Sequence, residues 1–161
     1  MTRAGEMHIS LQGATPGRLA SLGTSTTEIH EVIERVVDKE AARDLALILS
    51  LRPGVGWTAV CHPGYLTPQD VHNGTVPGLP QHFRLIRIAM GTKNTYPFTG
   101  RDAYGWQWAF GTFADHLAEV LAHEYYHLRR PAGQEEGAND FALERTQALD
   151  FDVAGAPPDG R

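Results

Sequence analysis

The sequence predicts an α+β domain, on three observations. Apolar residues recur at helical spacing between residues 25 and 52. Residues 83–90 have the length and composition of a strand. Two helical stretches, residues 112–128 and 135–149, follow one another across a break at Pro131 and Gly133. Taken in chain order, residues 7–12 (MHISLQ) alternate weakly and read as an edge strand, and residues 13–23 are rich in turn formers. Ser25-Thr26-Thr27-Glu28 then has the form of a capping box. Ile29, Val32, Ile33, Val36 and Val37 recur at three and four residues, as do Ala41, Leu45, Ile48 and Leu49. The expectation is a long amphipathic N-terminal helix, whole or in two parts, ending before Pro53-Gly54. Residues 57–61 (WTAVC) read as a short buried strand, and residues 62–81, with their prolines and glycines, as loop. Residues 83–90 (FRLIRIAM) are the clearest strand, and residues 91–111 read as irregular. Residues 1–153 are expected to form a single domain, and residues 154–161 (AGAPPDGR) a disordered tail.

Composition narrows the classes of function. A chain of 161 residues, 42% of them apolar, can bury a core without disulfide staples. The net charge is -5 and no basic run or basic helix face occurs, so no nucleic-acid partner is expected. The single cysteine, Cys61, excludes an internal disulfide and a multi-cysteine zinc site. The N-terminus has no apolar run of the secretory kind, and no stretch approaches the roughly 20 apolar residues needed to cross a bilayer. The expected place is the cytoplasm, without a membrane partner.

The chemistry is concentrated in His123-Glu124-Tyr125-Tyr126-His127. On a helix, residues four apart share a face, so His123 and His127 can reach one ion. Neutral imidazole suits Zn(II). Glu124 is rotated by about 100° from His123, which directs its carboxylate at a water beside the ion rather than at the ion. Two ligands and a general base are the physical content of the HExxH spacing. A zinc site that catalyses needs a third protein ligand and one open position. The next helix offers two: Glu135, with Asn139 one turn on to orient a ligand, or Glu136, with Asp140 in that role. Helical phase favours Glu135, whose stripe holds Ala138, Asn139, Ala142 and Leu149, whereas that of Glu136 is mostly polar. A reversal at Pro131-Ala132-Gly133 is required to bring Glu135 back to the histidines.

These residues resemble the zincin metallopeptidases, and in particular the gluzincin branch, which pairs HExxH with a Glu from a following helix. Glu135-x-x-Ala138-Asn139-x-Phe141-Ala142 is similar to the second motif of the ImmA/IrrE-type peptidases, and to that of the CAAX-processing and HtpX-type peptidases, where Asp more often follows the Ala. The likeness covers about residues 112–150. It departs from the pattern in a short gap between motifs and in Asn139 standing for Asp. It implies a zincin-like fold: a long N-terminal helix and a small mixed sheet packed on the HExxH helix, then a second ligand-bearing helix. It also implies peptide or protein substrates, and residues 83–90 as the strand beside the cleft.

The expected function is therefore a zinc metallopeptidase with His123, His127 and Glu135 as ligands, Glu124 as base and Asn139 behind a ligand. The rival readings are a non-catalytic zincin-like zinc module that regulates or binds a partner, and a zinc hydrolase of non-peptide amides. Tyr96, Tyr104, Tyr126, Arg101 and Arg145 are the available donors to a developing oxyanion, with Tyr126 better suited to packing. His116, about 10 Å before His123 along the helix, suits a core position. His62, His72 and His82 read as solvated loop histidines, Cys61-His62 is no dyad because strand neighbours face opposite ways, and Trp106 and Trp108 read as packing.

Overall fold

A computed structural model describes residues 7–40, 42–71 and 76–158. Its architecture is mixed α+β, with two small sheets and four α-helices among the described residues. The first sheet has the order β1-β2-β4-β3, from β1 (His8–Gln12), β2 (Leu45–Arg52), β3 (Thr58–Leu66) and β4 (Phe83–Gly91). β1, β2 and β4 run parallel, and β3 pairs with β4 antiparallel. Between β1 and β2 lie α1 (Pro16–Ser21) and α2 (Thr26–Val36). The second sheet is antiparallel, ordered β5 (Phe98–Arg101), β6 (Gln107–Phe110) and β7 (Val153–Ala156). Two helices, α3 (Phe113–Arg129) and α4 (Glu135–Ala148), connect β6 to β7. No helix among the described residues is long and apolar enough to cross a membrane.

The main core lies between the first sheet and the helices. Leu45, Leu47, Leu49 and Leu51 of β2 and Ile86, Ile88 and Met90 of β4 meet Ile29, Ile33 and Val36 of α2 and Leu117, Leu121 and Tyr125 of α3. The opposite face of the sheet, with Ala46, Ile48 and Leu85, is covered by Val71, Val76 and Leu79. β2 is thus buried on both faces and reads as a continuous apolar run. That burial explains a correction. The expected long N-terminal helix stops at Val36, and Leu45, Ile48 and Leu49 belong to a strand. In a strand buried on both sides the period of two is lost, and leucines at any spacing mimic a helical stripe.

Other boundaries move for related reasons. Residues 7–12 do form an edge strand, β1. Residues 83–90 form β4 as expected, but β4 lies inside the sheet between β2 and β3, so β3 takes the edge beside the cleft. β3 runs on to Leu66 through a register shift between His62 and Leu66, in what reads as loop. The irregular stretch 91–111 contains the β5–β6 hairpin, and the tail is ordered through Ala156, where β7 completes the second sheet. His72 and residues 159–161 lie outside the described residues.

α3 starts on a capping box. Thr112 Oγ1 accepts the Asp115 backbone N–H at 3.2 Å, and Asp115 accepts the Thr112 N–H at 2.9 Å. The other Asp115 oxygen accepts the Asp152 N–H at 2.9 Å, which joins the start of α3 to the entry of β7. At its far end the chain reverses at once: the Gly133 N–H reaches the Arg130 carbonyl at 2.8 Å. Tyr126 fills the inside of this reversal. A Cβ on Gly133 or on Gly137 would fall 2.5 Å from Tyr126 side-chain atoms, so a larger residue at either position would have to displace that ring. Arg145 then latches α4 to α2, donating to the Val36 carbonyl at 2.9 Å and to Asp38 at 3.1 Å.

Candidate metal centre

The helix–turn–helix brings together three atoms of the kind that bind metals. His123 Nε2 and His127 Nε2 are 3.3 Å apart, and Glu135 Oε2 is 2.6 Å from the first and 3.2 Å from the second. Atoms that bind zinc at about 2.0–2.1 Å with tetrahedral angles stand about 3.3 Å from one another. Two of the three separations have that value. The third is the length of a charge-assisted hydrogen bond, with one imidazole N–H donating to the carboxylate. Glu136, one residue on, is exposed. The Glu124 carboxylate also lies within 4.8 Å of both imidazoles, so His123, Glu124 and His127 form a group that could hold a metal ion.

Glu124 and Glu135 differ in their surroundings. Glu135 is partly exposed and touches both histidines. Burial works to raise its pKa, but the hydrogen bonds and charges of His127 and His123 outweigh burial and hold it below the ordinary carboxylate value. Glu124 is buried, and its Oε2 has no hydrogen-bond partner among the described residues. Burial raises its pKa, the two histidines oppose the rise and Glu135 adds to it. A raised carboxyl with one unpartnered oxygen has the basicity and the free lone pair of a general base.

His123 is oriented from behind. Its Nδ1 is 2.9 Å from Asn139 Oδ1, and Asn139 Nδ2 donates to Asp102 Oδ2 at 3.0 Å. Because the Asn139 NH2 faces a carboxylate, its oxygen faces the imidazole. Nδ1 is then a donor to Asn139, and a metal would take the place of the proton that Nε2 shares with Glu135. Asp102 is itself held by four donors. Oδ2 also accepts the Trp108 indole N–H at 3.0 Å, while Oδ1 accepts the Tyr104 N–H at 2.8 Å and the Trp106 N–H at 3.0 Å. Sequence reasoning missed Asp102. The only local signal is Asp102-x-x-Gly105, a turn signature with Gly105 at φ +84, and it says nothing of a partner far along the chain.

A hollow of about 270 Å³ opens on the ligands, lined by Ala59, Val60, Cys61 and Pro63 of β3 and by Glu124, His127, Pro131 and Glu135. The outer edge of β3 is unpaired within the described sheet. Burial, reinforced by the charge of Glu124, pushes the Cys61 thiol up to about 12, so no thiolate nucleophile exists here near neutral pH.

The remaining polar residues sort by position. Tyr96 OH is 2.7 Å from His116 Nδ1, inside an aromatic stack. His116 is a core histidine: its ring lies 4.3 Å from Phe110 and 4.2 Å from Trp57, and burial lowers its pKa to about 3. Tyr126 packs in the turn, Arg145 binds α2, and Trp106 and Trp108 stack at 5.5 Å in the second core. Tyr104, exposed at the tip of the β5–β6 hairpin, is the tyrosine that feels the site: its pKa is raised by burial and then by Glu135, Asp102 and Glu124. No protein-family model, curated protein or solved structure matches this chain, so its function rests on the chemistry of this site.

Proposed function

We propose that this chain is a zinc-dependent peptidase in which His123, His127 and Glu135 bind the metal and Glu124 is the general base. The observation that carries the reading is the convergence of two Nε2 atoms and one carboxylate oxygen within 2.6–3.3 Å, beside a buried Glu124 oxygen with no partner. The donor set of two imidazoles and a carboxylate suits Zn(II) and leaves a coordination position open. When bound, the metal would supply Lewis acidity and a water acidic enough to attack near neutral pH.

The chain's own residues supply the rest. Asp102 and Asn139 hold His123 in one tautomer. Glu124 takes the proton of the attacking water as oxygen adds to the peptide carbonyl, and delivers it to the departing amine, which leaves one carboxylate and one amine. Tyr104, whose phenol feels the charges of Glu135 and Glu124, would donate to the developing oxyanion. The free edge of β3 suits an extended peptide, which would add as a further strand across the hollow. The zincin and gluzincin resemblance is consistent with each of these roles.

The deciding experiment is Glu124→Gln with metal analysis. The variant should keep one zinc per chain and lose about 10²–10⁴-fold in peptide hydrolysis. Failure of the wild type to bind a divalent ion would end the proposal. A second reading, a zinc-binding module without turnover, is favoured by the exposure of Tyr104 on a hairpin tip. It predicts that Glu124→Gln leaves function in cells intact, while removal of the metal unfolds the site.

A further inference from the structure

A second hollow, of about 250 Å³, is lined by Asp102, the residue that holds Asn139 behind His123. Its walls include Trp57, Phe98, Trp108 and Phe110, and its polar groups include Asp102 and Glu119. Glu119 sits one helical turn before His123, on the same face of α3. Its side chain is 8% exposed, and among the described residues no hydrogen bond or ion pair reaches its carboxylate. Buried carboxylates are ordinarily paired, so an unpaired one lining a cavity marks the place of an absent partner.

The chemistry of the walls identifies that partner. Asp102 is already engaged by four N–H donors, and His116, also in the wall, is bonded to Tyr96. One free carboxylate among aromatic rings is a poor cage for a metal ion, which needs several oxygen or nitrogen ligands. Anions are repelled by the carboxylates, and a neutral apolar group would leave Glu119 unpaired. Arg101, also in the wall, is exposed and forms no ion pair with Glu119. An organic cation satisfies both the carboxylate and the rings.

We infer that this hollow is a cation subsite that receives an ammonium or guanidinium group of the substrate, ion-paired with Glu119 and walled by Trp57, Phe98, Trp108 and Phe110. Burial, then the nearby charges of Asp102 and Glu124, push the Glu119 carboxyl up to about 8, the behaviour of a group that lacks its counter-charge. The cation can be a lysine or arginine side chain or a peptide's α-ammonium group. Assigning it to a scissile peptide rests on the peptidase reading, but the existence of the subsite does not.

The test has a binding arm and a cleavage arm, both on the zinc-loaded full chain. n-Butylammonium and n-butanol are titrated while the indole N–H signals of Trp57 and Trp108 are followed by NMR. The cation should shift them and bind roughly tenfold more tightly than the alcohol, and Glu119→Gln should abolish the difference. Phe98→Leu, which keeps the carboxylate, should weaken the cation and spare the alcohol. Equal binding of both ligands, or an unchanged preference in Glu119→Gln, overturns the inference. So does a second zinc equivalent lost in that variant, because the occupant is then a metal. In the cleavage arm, peptides with and without an internal lysine or arginine are compared, each with a free and an acetylated N-terminus. Loss on acetylation assigns the α-ammonium group, and dependence on the internal residue assigns the side chain. Cation binding without cleavage upholds the subsite and removes the peptidase. Cleavage with no cationic preference and no ammonium binding does the reverse.

Discussion

The two hollows are floored by successive turns of the same helix and by the same kind of residue, yet they are completed differently. In the first, Glu124 stands beside two histidines and a second carboxylate, all carried by α3 and α4. In the second, Glu119 stands beside Asp102 and aromatic rings, with no positive charge paired to it among the described residues. Burial raises both carboxyls. The difference shows how one helix can hold a self-sufficient arrangement and an incomplete one on successive turns. In the first, a metal would replace a hydrogen bond; in the second, a charge from outside would complete an ion pair.

The comparison breaks most visibly at the ligands. Glu135→Gln should weaken zinc binding by at least about 100-fold, more than loss of a group behind a ligand costs, while Glu136→Gln should leave it unchanged. Isothermal titration with zinc distinguishes the two, and the reverse order would move the ligand by one residue. The next effect lies in the link between the hollows. All four partners of Asp102 are donors, so an amide there can satisfy only one side. Asp102→Asn should lower zinc affinity by about 10–100-fold. Asn139→Asp should also lower it, because it sets two carboxylates about 3 Å apart. The double variant, which exchanges amide and carboxylate, should recover part of the loss; strict additivity would show that the two residues do not act in series.

The smallest effect is on stability. The Glu119 carboxyl titrates at about 8 in the folded chain against an ordinary 4.5, so the folded state holds the extra proton between those values. Stability due to this group therefore falls as pH rises from 4.5 through 8. In metal-free protein, Glu119→Gln should remove that fall and gain about 2 kcal/mol at pH 8.5, measured by urea unfolding. An unaltered slope would mean that Glu119 is solvated. His116 works in the opposite sense: its folded value of about 3 lies below the ordinary 6.5, so the unfolded state takes the proton first and stability is lost as pH falls through that window.

The same contrast explains what could be read from the sequence. The His123, His127 and Glu135 cluster of the first hollow is built from residues four, eight and twelve positions apart, on helices whose caps, breaks and periodicity are local signals. Glu135 follows from helical phase, and Asn139 from being one turn beyond it. The second hollow is built from contacts across the chain, such as Asp102 to Asn139 and Trp57 to His116. Glu119 had a faint signal, its place one turn before His123, but a carboxylate on a helix is ordinarily solvated. The β2 strand was hidden for another reason: full burial erases the alternation by which strands are recognised. The strand beside the cleft was misplaced because parallel pairing of β2 with β4 is decided by the whole sheet, and no property of residues 83–90 tells an inner strand from an edge.

The glycines under Tyr126 give the turn between the motifs a further meaning. With Gly133 and Gly137 both pressed against one aromatic ring, the gap between His127 and Glu135 behaves as a template rather than as a tether. Flexible connections absorb added residues at little cost, but a connection cast around a side chain has one permitted length. Tyr126 occupies a variable position of HExxH, and here that position lies against the turn that delivers Glu135 to the histidines. Sequences sharing this short gap should carry a large residue at that position and glycines opposite it, changing together or not at all.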